Sequence, residues 1–165
     1  MNQLKTIPEN LGLLQQLVEL KLEENQLECL PDTLENLIHL KELHLQNNRL
    51  QVLPKGISHH PKLRVLNLEN NQITELPVSL KEIRELKLRN NNIQYIPKEI
   101  SSLQQLRRID LRGNKITELP IELLALPNLE RIDLRWNEQL QQPAWLKELN
   151  PDCLCLLYTS PSPRD

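Results

Sequence analysis

The sequence predicts an α/β solenoid, with short strands stacked into one concave parallel sheet and 3₁₀ or short α segments on the convex side. Three observations carry that prediction. Leucine supplies 38 of 165 residues while phenylalanine is absent and aromatics amount to 2%, so any core must be built from branched aliphatics. The pattern L-x-x-L-x-L-x-x-N-x-L starts at Leu17, Leu40, Leu63, Ile83, Leu106 and Leu129, at intervals of 23, 23, 20, 23 and 23 residues. Prolines follow an aliphatic residue in the same phase at Pro8, Pro31, Pro54, Pro77, Pro97 and Pro120, and Pro143 keeps the spacing.

Each copy reads as strand, turn, short helix. Alternation such as Leu43-His44-Leu45 is the period-two signature of a strand with one buried face. The stretch from Pro31 through Leu34 to Leu37 spaces its leucines by three, which suits a 3₁₀ or short α segment beginning at the proline. One such unit cannot bury its leucines alone, so neighbours must stack. Asparagine stands at the ninth position of every copy, as Asn25, Asn48, Asn71, Asn91, Asn114 and Asn137. There the chain leaves the strand and loses ladder partners, and a side-chain amide both donates and accepts. These six are therefore expected to form a structural ladder. The copy from Leu63 is three residues short before Ile83, so its outer segment should be clipped.

With these residues the chain resembles the leucine-rich repeat family, in its 23-residue form with Leu-Pro after the asparagine turn, as in intracellular Ras-signalling scaffolds and bacterial leucine-rich repeat proteins. The resemblance implies a horseshoe solenoid that binds a protein partner. The stretch from Asp133 to Asn137, with Pro143, Trp145, Leu146 and Leu149, looks like the family's closing repeat. Gln139 and Gln142 stand where aliphatics are normal, and Leu140 is expected to move inward in compensation.

The predicted organisation is a partial repeat over 1–16, six repeats over 17–137, a closing segment over 138–154 and a tail over 155–165. Phase alignment puts Asn2 at an asparagine position, so the chain is expected to begin inside a repeat with more repeats upstream. Residues Cys155 to Asp165 resemble a translated sequencing adapter or, failing that, a Pro/Ser tail disordered by composition, and Cys153 is expected to belong to a closing edge strand.

Composition excludes several function classes. The three glycines are isolated, which removes phosphate- and dinucleotide-cradling loops. A net charge of −2 argues against a nucleic-acid binder, whose affinity comes from a basic surface. No apolar run reaches the roughly 18 residues of a membrane span, and no signal-peptide core follows Met1. Three cysteines without a disulfide spacing favour a reducing, cytoplasmic setting. The four histidines do not converge, so neither a metal site nor a hydrolytic triad is expected, nor any cofactor or small-molecule substrate. Cys29, between Leu27 and Leu30, reads as a small packed residue.

The binding surface is expected on the concave face, at positions three, five, seven and eight of each copy. Position three runs Glu19, Glu42, Val65, Glu85, Arg108, Arg131, and position seven runs Glu23, Gln46, Glu69, Arg89, Arg112, Arg135. Both change from acidic to basic. The candidate partner-binding residues are Lys87, Arg89, Arg108, Arg112, Arg131, Arg135 and Trp136, expected to seat an acidic segment, since Arg and Trp are enriched at binding hot spots. Asp110 and Asp133 lie two residues from these arginines, so a self-neutralised charge lattice is the competing reading. The expected role is a non-catalytic signalling scaffold; the rival is the recognition arm of a larger kinase, GTPase or ubiquitin ligase.

Overall fold

The computed structural model describes residues 2–155. Seven strands, β1 (Glu19–Lys21), β2 (Glu42–His44), β3 (Val65–Asn67), β4 (Glu85–Lys87), β5 (Arg108–Asp110), β6 (Arg131–Asp133) and β7 (Leu154–Cys155), form one parallel sheet in chain order. Parallel neighbours need a crossover, and each repeat supplies one on the convex side. The register aligns the inward leucines: Leu20, Leu43, Leu66, Leu86, Ile109 and Ile132 are mutual partners along the sheet. The ladder runs on beyond these three-residue strands, with the N–H groups of Leu22, Leu45, Leu68, Leu88 and Leu111 donating to the next repeat at 2.8–2.9 Å.

On the convex side, single 3₁₀ turns occupy Glu9–Leu13, Asp32–Asn36, Lys98–Ser102, Ile121–Ala125 and Ala144–Glu148, and α1 covers Lys55–Ser58. Their prolines stand just before the helical turn rather than within it. Pro31, Pro54 and Pro97 are in extended geometry, with φ of −71°, −63° and −73°, and their carbonyls accept from Leu34, Ile57 and Ile100. A ring-locked φ and a missing N–H suit a residue that opens a turn without pairing. The shortened repeat has no helical turn between β3 and β4, yet Leu76, Leu80 and Ile83 stay buried. A repeat three residues shorter thus lacks the turn and keeps the anchors.

Branched aliphatics from Leu27 to Leu146 form one continuous core. Two glycines let adjacent convex segments touch. A Cβ on Gly12 would lie 2.4 Å from the Thr33 carbonyl oxygen, and one on Gly56 would lie 2.6 Å from the Glu35 Cβ and 2.8 Å from the Asp32 carbonyl.

At the N-terminal side, Asn2 donates to the Glu24 carbonyl at 3.0 Å and Gln26 donates to that of Leu4 at 2.9 Å, so the partial repeat docks through its backbone. Leu4, Leu13, Leu14 and Val18 remain exposed there. At the other end Leu140 is half-buried and packs on the core beside Trp145 and Leu149. Cys153 lies in a 3₁₀ turn, Pro151–Cys153, and the closing strand is the pair that follows it. Cys155, assigned by sequence to the tail, pairs with Asp133; the rest of that segment lies outside the described residues. Cys29 is exposed rather than packed, because Leu27 and Leu30 turn inward and leave it facing out.

Candidate functional site on the concave sheet face

In-register pairing converts sequence periodicity into columns. Glu19 pairs with Glu42, Glu85 with Arg108 and Arg108 with Arg131; one step along, Lys21 pairs with His44 and Asp110 with Asp133. The face is acidic over β1–β3 and basic over β4–β6. Two residues of the middle column, Asn67 and Asp133, are buried by their neighbours rather than exposed.

The aspartates do part of what the charge-lattice reading requires. Asp110 grips the Arg112 guanidinium through Nε and Nη2. Asp133 accepts from Arg135 Nε at 2.9 Å and from its Nη2 at 2.7 Å, the two-pronged geometry that makes Arg–carboxylate pairs strong. Burial pushes the Asp133 carboxyl up, but the hydrogen bonds and charges of Arg135 and Arg112 outweigh it and hold the group below its ordinary value. Arg108 and Arg131 differ. Their side chains are 60% and 55% exposed, with carboxylate oxygens only at 4.0 and 3.7 Å. A cavity of about 190 Å³ opens between them, also lined by Lys87, Ile109 and Asp110.

Trp136 draws the seventh column together. The guanidinium carbons of Arg89, Arg112 and Arg135 lie 5.3, 5.7 and 5.5 Å from the centre of its ring, all within cation–π range. Its backbone is left-handed, with φ of 60°. So is every eighth position: Glu24, Asn47, Asn70, Asn90 and Gly113 have φ between 54° and 62°. Sequence reasoning missed this requirement, although Asn and Gly are the residues that most readily adopt it. Asn70 donates to Asn47, and Asn90 to Asn70, along the same rim.

The ninth-position asparagines lie beneath the turn. Asn91 is fully buried; its Oδ1 accepts from Ile73 N–H at 2.9 Å, and its Nδ2 donates to the carbonyls of Leu68 and Leu88 at 2.9 and 3.0 Å. Asn48, Asn71, Asn114 and Asn137 repeat this bridge between their own repeat and the previous one. Asn25 is half-buried and bonds Leu22, Glu23 and Leu4.

One histidine comes together with carboxylates, a grouping the sequence reading did not foresee. His44 Nε2 lies 3.4 Å from Glu19 Oε1 and 3.4 Å from Glu42 Oε2, and the three ligand atoms fall within 4.8 Å of one another. Spacing along the chain hid this, because the strand register makes the cluster. Lys21 already supplies a cation there, 2.9 Å from Glu19, and its hydrogen bond holds the Glu19 carboxyl below its ordinary value.

The family model for leucine rich repeats matches residues 38–93 and 81–138. The chain belongs to the leucine-rich repeat family. A leucine-rich repeat protein of Leptospira interrogans shares 33% identity with a TM-score of 0.76, over 84% of this chain and 39% of that one. The leucine-rich repeat domain of the type III effector XopL shares 28% at a TM-score of 0.78, over 84% and 51%. The leucine-rich repeat ectodomain of the membrane receptor kinase GASSHO1/SCHENGEN3 from Arabidopsis thaliana, in complex with CASPARIAN STRIP INTEGRITY FACTOR 2, shares 34% at 0.74, over 94% and 19%. The chain thus spans about half or less of the length of these leucine-rich repeat chains. No curated protein matches it. No helix among the described residues is long and apolar enough to cross a membrane.

Proposed function

We propose that the chain is a non-catalytic protein–protein interaction scaffold of cytoplasmic signalling, binding a protein partner on its concave face with an acidic segment of that partner against β4–β6. Trp136 carries this reading. A bulky residue in the left-handed geometry of the repeat turn costs about 1–2 kcal/mol, where four of the other five repeats use Asn or Gly. Here the strained residue holds an aromatic ring among three arginines beside half-exposed Arg108 and Arg131. The protein complex formed by the GASSHO1 ectodomain supports the same use of the fold.

A glutamate homopeptide titrated onto the chain tests the acidic-segment reading. Arg108→Glu with Arg131→Glu should abolish binding. Trp136→Asn should weaken it while the melting midpoint holds or rises, because asparagine accepts the left-handed backbone. Unchanged binding in both variants would discard the reading.

A further inference from the structure

We propose that the acidic partner of the concave face is a second copy of this chain, docked face to face about a twofold axis that runs parallel to the strands and passes between β3 and β4. The proposal rests on the concave face being a protein-binding surface, and deepens it. Such an axis keeps strand direction and reverses strand order, so β1 meets β6, β2 meets β5 and β3 meets β4. Each column then faces its own mirror-ordered copy.

Charges are opposite in sign across that axis at five of the nine facing positions, and the outermost pair of rows matches in full, whereas Val65 facing Glu85 and Asn67 facing Lys87 are not opposite charges. The β1 row is Glu19, Lys21, Glu23 and the β6 row is Arg131, Asp133, Arg135, opposite in sign at every position. The β2 row, Glu42, His44, Gln46, meets Arg108, Asp110, Arg112 of the second copy, again with an acceptor against each arginine and a histidine against the aspartate. The β3 row brings Glu69 against Arg89 of the second copy. The alternative twofold, perpendicular to the strands, sets Glu19 against Glu23 and Arg108 against Arg112, and is repulsive. Electrostatic complementarity of this kind selects a register and orientation, and a self-complementary patch is what an isologous dimer requires.

Two facing concave surfaces leave their middle strands apart, so the outer rows β1 and β6, which match in full, carry the contact and β3 with β4 add little. At a strand spacing of about 4.8 Å, six strands span about 24 Å; the contact is small and mainly polar, so salt should weaken it.

Sedimentation equilibrium of the full chain at low ionic strength tests this, with two variants whose changes fall on half-exposed position-three residues: Glu19→Arg with Glu42→Arg, and Arg108→Glu with Arg131→Glu. Thermal melts establish that both are folded. The wild type should be a dimer that dissociates as ionic strength rises past about 0.1 M, where the screening length is about 10 Å. Each variant alone should be monomeric, since like charges then meet across both halves of the contact. An equimolar mixture should restore the dimer, because each variant supplies the complement of the other. A monomeric wild type, a dimer indifferent to the swaps, as association through exposed Leu4, Leu13 and Leu14 would be, or a mixture that stays monomeric would overturn the proposal. A monomer that still takes up glutamate homopeptide through Arg108 and Arg131 overturns only the self-pairing and leaves the acidic-partner reading standing.

Discussion

Asn91 shows how much a single side chain can matter in a solenoid. Its amide serves one donor and several carbonyls from two repeats in a fully buried site. Asn91→Ala should therefore cost about 1–3 kcal/mol or slightly more, as read by chemical denaturation, whereas half-buried Asn25→Ala should cost less. Leu88→Ala, which opens a cavity, should cost roughly 2–5 kcal/mol. His60 makes a different prediction. It is buried, with Nε2 3.0 Å from the Leu37 carbonyl and Nδ1 3.3 Å from the Lys62 N–H, so the neutral ring donates through Nε2 and accepts through Nδ1. Burial pulls its pKa below the ordinary 6.5, outweighing the bond to Leu37. Above pH 6.5 both folded and unfolded rings are neutral and stability is whole. As pH falls below that value the unfolded chain takes up a proton the folded chain refuses, so stability declines. Melts across this range should show the decline, and His60→Gln should flatten it. Asp133 acts in a lower window: its depressed pKa preserves stability down to its ordinary value of 3.8, and loses it below.

At the scale of the element, the outer segments depend on close approach as much as on helix propensity. Gly56 sits in α1 against the Asp32–Asn36 turn, with backbone and Cβ atoms where its own Cβ would be. Alanine is the better helix former by roughly 1 kcal/mol, yet Gly56→Ala should destabilise by about 1–3 kcal/mol because neighbouring repeats must separate. A rise in the melting midpoint would show the contact to be soft. The clipped repeat makes a related point. Removing its helical turn left Leu76, Leu80 and Ile83 in the core, so the aliphatic anchors, rather than the turn, hold the crossover.

For the whole molecule, the strands and their order were legible because a repeat of 23 residues with one deletion permits only one stacking, and the ninth-position asparagine was legible because its chemistry is local. The concave columns followed from the same periodicity. The left-handed eighth position was present as Asn47, Asn70, Asn90 and Gly113, but Glu24 and Trp136 obscured it. The row of Arg89, Arg112 and Arg135 beside Trp136 was legible from the columns, but the stacking of their guanidiniums on its ring, the His44 cluster and the burial of Asp133 were not, since each depends on side-chain rotamers that periodicity leaves open. The bipolar face is a property at this scale too, visible only when six rows are set side by side.

By itself the sequence determined the solenoid, its register and the signs of charge along the concave face, because those depend on spacing and residue type alone. Only the tertiary structure decided which charges are spent within the chain and which stand outward: Arg112 and Arg135 are held by Asp110 and Asp133, while Arg108 and Arg131 remain half-exposed. The physical reason is that a two-pronged ion pair depends on rotamer and burial, which are fixed by neighbours 20 or more residues away in the chain.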